Sequence, residues 1–595
     1  MPTTHDAHLQ RWRDRLSRRS NRCFRLRLLL AAALVIALLL PWSAWARGSA
    51  GAVIIVGFVV VAVLHARIDR GLRRCDALLR VRRQQRARVA LDWSELPAAV
   101  RPVVPDGHSF AGDLDLFGDS GLHRLLDVSV SREGSLHLAA WLLEETRDAR
   151  DIRARQQQVR SLLPFAHFRE RLLMELALVS REKLDGGAFS AWLAKAALPT
   201  ALRTVLPAAA LLALVNATLF VLYGMNLLPP YFLLGLLAYA ALYIRNAGIR
   251  ESFIELAIGL DAELGRLASV FRFLERYPLR GRGALAPLLE EFRGDTRRPS
   301  RAIRAVRRVV LAAGLSMNPV MTVLLNIALP WDLFFAWRLE RHRRSLAADV
   351  PRWLEALHTL EALQSLANHA ALHADAAFPH ILEPADDAPL LEAEALGHPL
   401  IPAGRRVCND VRIAQGPDIL LITGSNMSGK STMLRTLGIA TVLANVGGAV
   451  PARSFALRPV RLFTCINISD SLRDGVSYFY AEVRRLRRLL DVLREEKERG
   501  VLFLVDEMFR GTNTRERHAG GEAYIRELHA LGATGLLSTH DIELTRVAEG
   551  LSGVRNLHFR EHVEQGEMHF DYTLREGPCP TTNALTIMRL AGLPT

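Results

Sequence analysis

Two uncharged apolar runs lie back to back near the start of the chain, Leu28 to Ala46 and Gly48 to Ala66, with only Arg47 between them. Each is about as long as a helix must be to cross the hydrocarbon core of a bilayer. The first run is long for a signal peptide and has no convincing small-residue cleavage site before mature sequence, and a second run follows at once. Thr204 to Ile244 is also uncharged, and Asn226 with Leu227-Leu228-Pro229-Pro230 supplies a turn in its middle. The pattern predicts two transmembrane helical hairpins.

The flanks predict orientation. Arg11, Arg13, Arg15, Arg18, Arg19, Arg22, Arg25 and Arg27 precede the first run, and Arg67, Arg70, Arg73 and Arg74 open the basic stretch after the second. Lys195 and Arg203 precede the second hairpin, and Arg245 and Arg250 follow it. The positive-inside bias puts all these flanks in the cytoplasm. The expected location is therefore the inner or cell membrane, multi-pass, with both termini and every soluble segment cytoplasmic. The net charge of +15 implies an anionic partner. Arginine runs beside spans act first as topology determinants and headgroup contacts, so isoelectric point alone does not indicate DNA binding. Five scattered cysteines, with no CxxC, argue against a disulfide framework or a structural zinc site and fit a reducing compartment.

The remaining sequence divides into a helical region and an α/β region. Amphipathic stretches at Leu136 to Leu143 and Phe165 to Leu178 predict helices. Leu346, Val350, Leu354, Leu357, Leu360, Leu363 and Leu366 predict a long rod or bundle helix, with a kink or fresh start at Pro351. The apolar stretch Val320 to Leu329 is too short for a span and is bounded by Pro319 and Pro330, so it reads as core. The expected segments are a basic cytoplasmic N-terminus (1–27), transmembrane hairpin 1 (28–66), a first cytoplasmic stretch of helical core (67–203), transmembrane hairpin 2 (204–244), the remaining helical core with its lever (245–385) and an α/β P-loop ATPase domain (386–595).

That last assignment rests on a strand, a glycine loop and a helix in succession. The apolar run Asp418 to Thr423 leads into Gly424-Ser425-Asn426-Met427-Ser428-Gly429-Lys430-Ser431-Thr432, and an apolar helical stretch follows. Backbone N–H groups of such a loop wrap phosphates, and the helix N-terminus adds its positive dipole end. Lys430 is expected to reach the β- and γ-phosphates of ATP, and Ser431 to ligate Mg²⁺. Val501 to Val505 reads as a second buried strand, ending in Asp506 for the Mg²⁺ shell and Glu507 to orient and deprotonate the attacking water. A third strand, Gly535 to Ser538, leads to His540, a candidate γ-phosphate sensor.

These blocks resemble the DNA mismatch repair MutS family. Thr423-Gly424-Ser425-Asn426-Met427-Ser428-Gly429-Lys430-Ser431-Thr432 is similar to its TGPNMGGKST, with Ser425 and Ser428 departing. His398-Pro399 and Asn409-Asp410 precede the loop as in the family. Gly475 through Glu482 stands where the family has GRSTFMVE and retains Ser477, Phe479 and Glu482. Asp506 through Thr514 resembles DEIGRGTST, Ser538-Thr539-His540 resembles ATH, and Leu590 through Pro594 resembles KLAGLP. More weakly, Asp113 through Gly134 resembles the start of the family's helical core, and Leu354 through Ala367 its lever helix.

The resemblance implies ATP hydrolysis in a dimeric head, with Ser477 contacting the γ-phosphate held by the other subunit. It implies at most DNA binding without mismatch specificity, because membrane spans stand where the mismatch-reading domain would be, and Phe168-Arg169-Glu170 spells its wedge triplet only inside a core helix. A clamp insertion and a helix-turn-helix tail are also missing from the pattern. An ATP-binding cassette half-transporter is the competing class, with a protein or lipid partner. Its signature is poorly imitated by His518-Ala519-Gly520-Gly521, which follows the Asp-Glu pair instead of preceding it. A nucleotide-holding scaffold is a third class, against which Lys430, Asp506, Glu507 and His540 argue.

Overall fold

The computed structural model describes residues 4–178, 192–193, 202–277, 283–294, 298–383, 388–425, 427–466, 478–496, 500–509, 512–564 and 567–580. Its helices before the first strand are α1 (Thr4–Leu39), α2 (Ala44–Ala90), α3 (Leu122–Leu126), α4 (Arg132–Leu142), α5 (Ala149–Leu162), α6 (Ala166–Ala177), α7 (Leu202–Gly224), α8 (Phe232–Arg245), α9 (Ala247–Arg276), α10 (Ala286–Arg293), α11 (Pro299–Gly314), α12 (Pro319–Ala328), α13 (Trp331–Leu346) and α14 (Asp349–Leu372). The chain forms two compact units, one of residues 1–88 with 167–182 and one of 89–166 with 183–595.

In the first unit α1 and α2 pair antiparallel through their basic ends. Asp6 accepts from Arg82 and Arg86 at 3.0 and 2.6 Å, Arg13 donates to Asp76 at 2.8 Å, and Ser20 donates to Asp69 at 2.6 Å. The break between them corrects the expected turn at Arg47. It falls at residues 40–43, and Arg47 lies inside α2. Pro41 is the cause, because it lacks the N–H that would continue α1 and its ring clashes with the preceding turn. A single charge in an apolar helix does not break it.

Among the described residues two helices are long and apolar enough to cross a membrane, α2 and α7. α2 leaves Val53, Val56 and Val60 exposed, and α7 leaves Leu211, Leu214 and Phe220 exposed. α8, the return limb of the second apolar pair, has only 14 residues, about 21 Å of rise. The turn before it contains Asn226 at φ 59°. The stretch Val320 to Leu329 departs from its expected core placement: Val320, Met321, Val323, Leu324 and Leu329 are all exposed. Hydropathy reports only that such residues avoid water, not what covers them.

α14 starts afresh at Asp349 with Pro351 in its first turn, where a missing N–H costs nothing. It packs against α4, α5 and α10. Its buried Glu361 accepts from the backbone of Val130 at 3.0 Å and Ser131 at 3.2 Å, and from the Ser131 hydroxyl. Ser131 in turn caps α4 by accepting from Gly134 N at 2.9 Å. This cap explains why α4 begins ahead of the apolar stretch Leu136 to Leu143.

The C-terminal region is α/β. A small sheet has the order β1-β5-β2-β3, with β1 (His380–Ile381), β2 (Leu391–Leu396), β3 (Asn409–Ile413) and β5 (Ser454–Leu457). The main sheet has the order β10-β9-β4-β8-β7-β6, with β4 (Asp418–Thr423), β6 (Arg461–Cys465), β7 (Val501–Asp506), β8 (Thr534–Thr539), β9 (Val554–Glu564) and β10 (Glu567–Glu576). All its pairs are parallel except β9 with β10. β4, β7 and β8 are buried along their whole length, as apolar central strands covered on both faces must be. The helices here are α15 (Lys430–Asn445), α16 (Tyr478–Glu495), α17 (Thr514–Ala530) and α18 (Val547–Gly550).

Residues 107–114 are fastened onto this sheet. Asp113 accepts from Thr464 Oγ1 at 2.7 Å and Ile466 N at 3.1 Å, and Arg485 donates to the carbonyls of Gly107, His108 and Ser109. The segment that resembles the start of the helical core therefore touches the α/β region directly.

Candidate functional site

β4, β7 and β8 lie side by side in parallel, so the residues that follow them gather at one edge of the sheet. After β4 the chain turns through Gly424 at φ 150° and Gly429 at φ 110°, left-handed backbone that favours glycine. A methyl group on Gly424 would come within 2.8 Å of Ser428 Oγ and 3.0 Å of the Phe559 carbonyl. Met427, at φ 71°, points out and is 82% exposed. Asn426 lies outside the described residues. Gly429 opens α15, with Lys430, Ser431 and Thr432 in its first turn.

Lys430 is buried, and its Nζ donates to the carbonyls of Gly424 at 2.7 Å and Ser425 at 2.9 Å. Ser431 Oγ donates to Asp506 Oδ2 at 2.6 Å, and Ser538 Oγ donates to Asp506 Oδ1. Glu507 follows Asp506 at φ 52° with its N–H on the Ser538 carbonyl at 3.0 Å. A left-handed glutamate costs on the order of 1–3 kcal/mol and is held only where the surroundings dictate it. His540 Nδ1 stands 3.5 Å from Glu507 Oε2, on the exposed side of the pair. Three strand ends thus bring Ser431, Asp506, Glu507 and His540 together. Ser477 falls within residues 467–477, outside the described structure; α16 starts directly after it, with Phe479 and Tyr480 exposed.

A pocket of about 430 Å³ opens over the loop. One wall is Ser425, Met427, Gly429 through Thr432 and Glu507, and the opposite wall includes His398, Ile401, Arg405, Val407 and Tyr572. Burial, with Arg435 and Arg406 nearby, pushes His398 down to about 4, so it is neutral at pH 7. Its Nδ1 accepts from Leu400 N at 3.1 Å.

Two of the site's neighbours, Tyr572 and Glu561, carry no local sequence signal, while Asn409, Ser425 and Ser428 lie in blocks the sequence marks. Tyr572 sits at φ 53° in a bulge of β10 and lies against Gly429. Asn409 clamps that bulge, donating to the Tyr572 carbonyl at 3.0 Å and accepting from Leu574 N at 2.7 Å. Ser425, a departure from the family motif, donates to the buried Glu561 at 2.9 Å. Ser428, the other departure, buries its hydroxyl without a hydrogen-bond partner among the described residues.

Residues 420–595 match the family model of MutS domain V. A DNA mismatch repair protein MutS 2 from Haloarcula marismortui is 36% identical over 219 residues, 36% of this chain and 23% of the relative. A DNA mismatch repair protein MutS from Halalkalibacterium halodurans is 34% identical over 284 residues, 45% of this chain and 30% of the relative. A MutS 2 protein from Halobacterium salinarum is 33% identical over 256 residues, 42% of this chain and 29% of the relative. The second alignment is longer than the domain V match and so reaches into the helices before it, yet each match spans under a third of the relative's length. The C-terminal α/β domain is thus a MutS domain V.

Proposed function

We propose that this chain is a membrane-anchored MutS-like ATPase whose dimeric heads hydrolyse ATP to move the helical core. The observation that carries the reading is that Lys430, Ser431 and Glu507 line one pocket, with Asp506 bonded to Ser431 and His540 beside Glu507. The residues suit a nucleotide with a divalent cation. Ser431 and Asp506 present paired oxygen donors of the kind Mg²⁺ takes, and Lys430 lies buried beneath a loop built for phosphates. Mg²⁺, when bound, supplies charge that offsets the phosphate oxygens.

Lys430 binds the β- and γ-phosphates, with the loop residues 424–432 wrapping them. Glu507 holds the attacking water and takes its proton on the carboxylate as water oxygen bonds to the γ-phosphorus and the bond to the ADP oxygen breaks. His540 holds Glu507 in place through Nδ1 and faces the outgoing phosphate. Ser477 completes the site of the partner subunit.

The apolar α2 and α7, with their exposed valine and leucine faces, support the membrane anchor. The arginine flanks support a cell-membrane location with the ATPase domain in the cytoplasm. The names of the relatives suggest DNA as what the helical core grips, and arginines that read only phosphates would do so without mismatch preference.

Glu507→Gln tests the chemistry. ATP binding stays near that of the parent and turnover falls about 10²–10⁴-fold, the usual worth of a general base. Turnover within a few-fold of the parent overturns the assignment. Mixing Ser477→Ala with Lys430→Ala subunits tests the shared site: a mixed dimer has one site with both lesions and one with neither, so activity partly returns. Recovery of none points to sites completed within one subunit.

A further inference from the structure

We infer that α12 and the start of α13 form a re-entrant segment inserted among the lipid acyl chains beside the second hairpin, an inference that rests on the membrane-anchor reading above. The axes of Val320–Asn326 and Trp331–Leu346 meet at 83°. Between two bounding prolines α12 shows the surroundings its apolar side chains rather than burying them: Val320 is 65% exposed, Val323 56% and Leu324 57%. Its 10 residues rise about 15 Å, half the hydrocarbon thickness. That is too short to cross and long enough to enter one leaflet and stop.

Three features commit the occupant to lipid. First, the exposed face continues an apolar surface already of spanning length, because α12 and α13 both pack against α7. Second, the polar groups of α12 are satisfied within the protein, as a lipid environment demands. Asn318 caps it, accepting from Val320 N at 2.9 Å; Thr322 returns its hydroxyl to the carbonyls of Ser316 and Asn318; and Asn326 donates to the Thr322 carbonyl at 2.9 Å.

Third, the sequence beyond the elbow carries interfacial side chains. Trp331, Phe334, Phe335 and Trp337 come first, and Arg338 and Arg341 follow. Aromatic rings sit at headgroup depth and arginines reach the phosphates. With α12 along the bilayer normal, the 83° bend lays α13 close to the membrane plane, at the interfacial depth that suits its aromatic rings and arginines together.

A polar pin at the elbow holds the bend. Asp332, 1% exposed, accepts on Oδ2 from Tyr243 of α8 at 2.9 Å and from Asn326 of α12 at 3.0 Å, and its own N–H returns to Asn326 Oδ1 at 3.2 Å. One carboxylate thus joins three helices. A buried carboxylate beside an apolar span is expensive and is kept here to fix where the segment turns back.

The test uses the full chain with the exposed Cys408 changed to Ser, in vesicles of phosphatidylethanolamine and phosphatidylglycerol. Single cysteines at Val323 (α12), Val215 (α7) and Val103, which is 94% exposed, carry an environment-sensitive fluorophore. Signal from the labelled parent is subtracted, and each variant must elute as the parent does. Acyl-chain-brominated lipid should quench the probes at Val323 and Val215 about twofold, since both lie at hydrocarbon depth, and leave Val103 unchanged. Quenching at Val215 without quenching at Val323 overturns the re-entrant segment and leaves the anchor standing. Quenching at neither removes the anchor, and the re-entrant segment with it.

Discussion

The contact between Glu361 on α14 and the cap of α4 is where the helical core is expected to be most sensitive. Glu361 is 2% exposed and satisfies two backbone N–H groups, on Val130 and Ser131, along with the Ser131 hydroxyl. In Glu361→Ala the hydroxyl can turn elsewhere but the two N–H groups cannot. Each orphaned buried donor costs roughly 1–3 kcal/mol, so the local loss is about 3 kcal/mol. That corresponds to about a hundredfold faster opening of α4.

Gly134 provides an internal check, because a methyl group there would strike the Glu361 carboxylate. Gly134→Ala alone should therefore destabilise α4. In the double variant the carboxylate is gone and only the Ser131 hydroxyl, 2.8 Å from the methyl, has still to give way, so the two losses should fall short of their sum by about 1 kcal/mol or more. Hydrogen exchange of the α4 amides, read peptide by peptide in the detergent-solubilised chain, measures all three variants against α17 as an internal reference. Exchange of α4 within threefold of the parent in Glu361→Ala, or strictly additive losses, would refute the reasoning.

Two further outcomes are expected. Burial, with His373 and Arg406 adding, pushes His369 from its ordinary 6.5 down to about 3, so below pH 6.5 the unfolded state takes a proton that the folded state refuses. Stability should fall by about 1.4 kcal/mol per pH unit from pH 6.5 towards pH 3 on this account; His369→Gln should flatten the thermal-unfolding profile between pH 6 and 4, and an unchanged slope would remove His369 as its source. Matched and mismatched duplexes should bind the detergent-solubilised chain equally and lose affinity steeply between two salt concentrations, because arginines reading phosphates release counterions without reading bases; a mismatch preference that survives physiological salt would contradict this.

The regions of the fold legible in the sequence are those whose determinants are contiguous. β4, its loop and α15 form one unbroken pattern of apolar strand, glycines and apolar helix, and β7 and β8 are short apolar runs with acids or hydroxyls at their ends. The residues of the opposite wall are not legible in this way. Glu561 meets Ser425 only because β9 lies beside β4, and Tyr572 reaches Gly429 only because β10 bulges and Asn409 clamps the bulge. Such pairings are properties of the sheet order, which no local period encodes. The first hairpin's turn departs from its expected place for another reason. A lone charge interrupts an apolar run more visibly than a proline does, although a helix carries an arginine such as Arg47 without breaking and ends at Pro41. Val320 to Leu329 is apolar as its pattern says, yet its surroundings are not core, a distinction that burial alone makes.

The net charge needs the same distinction between composition and placement. Counted in the sequence, the arginines flanking the first apolar runs look like a surplus seeking an anion. In the folded chain several of these arginines already hold acids. Arg82 bonds both Asp6 and Glu170, Arg86 bonds Asp6, and Arg13 bonds Asp76. Asp6, 5% exposed, is stabilised by two guanidinium groups, so in this pairing the acid is the scarce partner. The α/β domain repeats the pattern, with Arg555 on Asp418, Arg461 on Glu145 and Glu496, and Arg485 spent on carbonyls. The net charge of +15 has already set each paired arginine against its acid, so it gives the size of the cation excess and not its place. An electrostatic footprint for nucleic acid must be sought among cations that hold no acid, and, on the proposed membrane anchoring, lipid phosphates compete for those near the apolar helices.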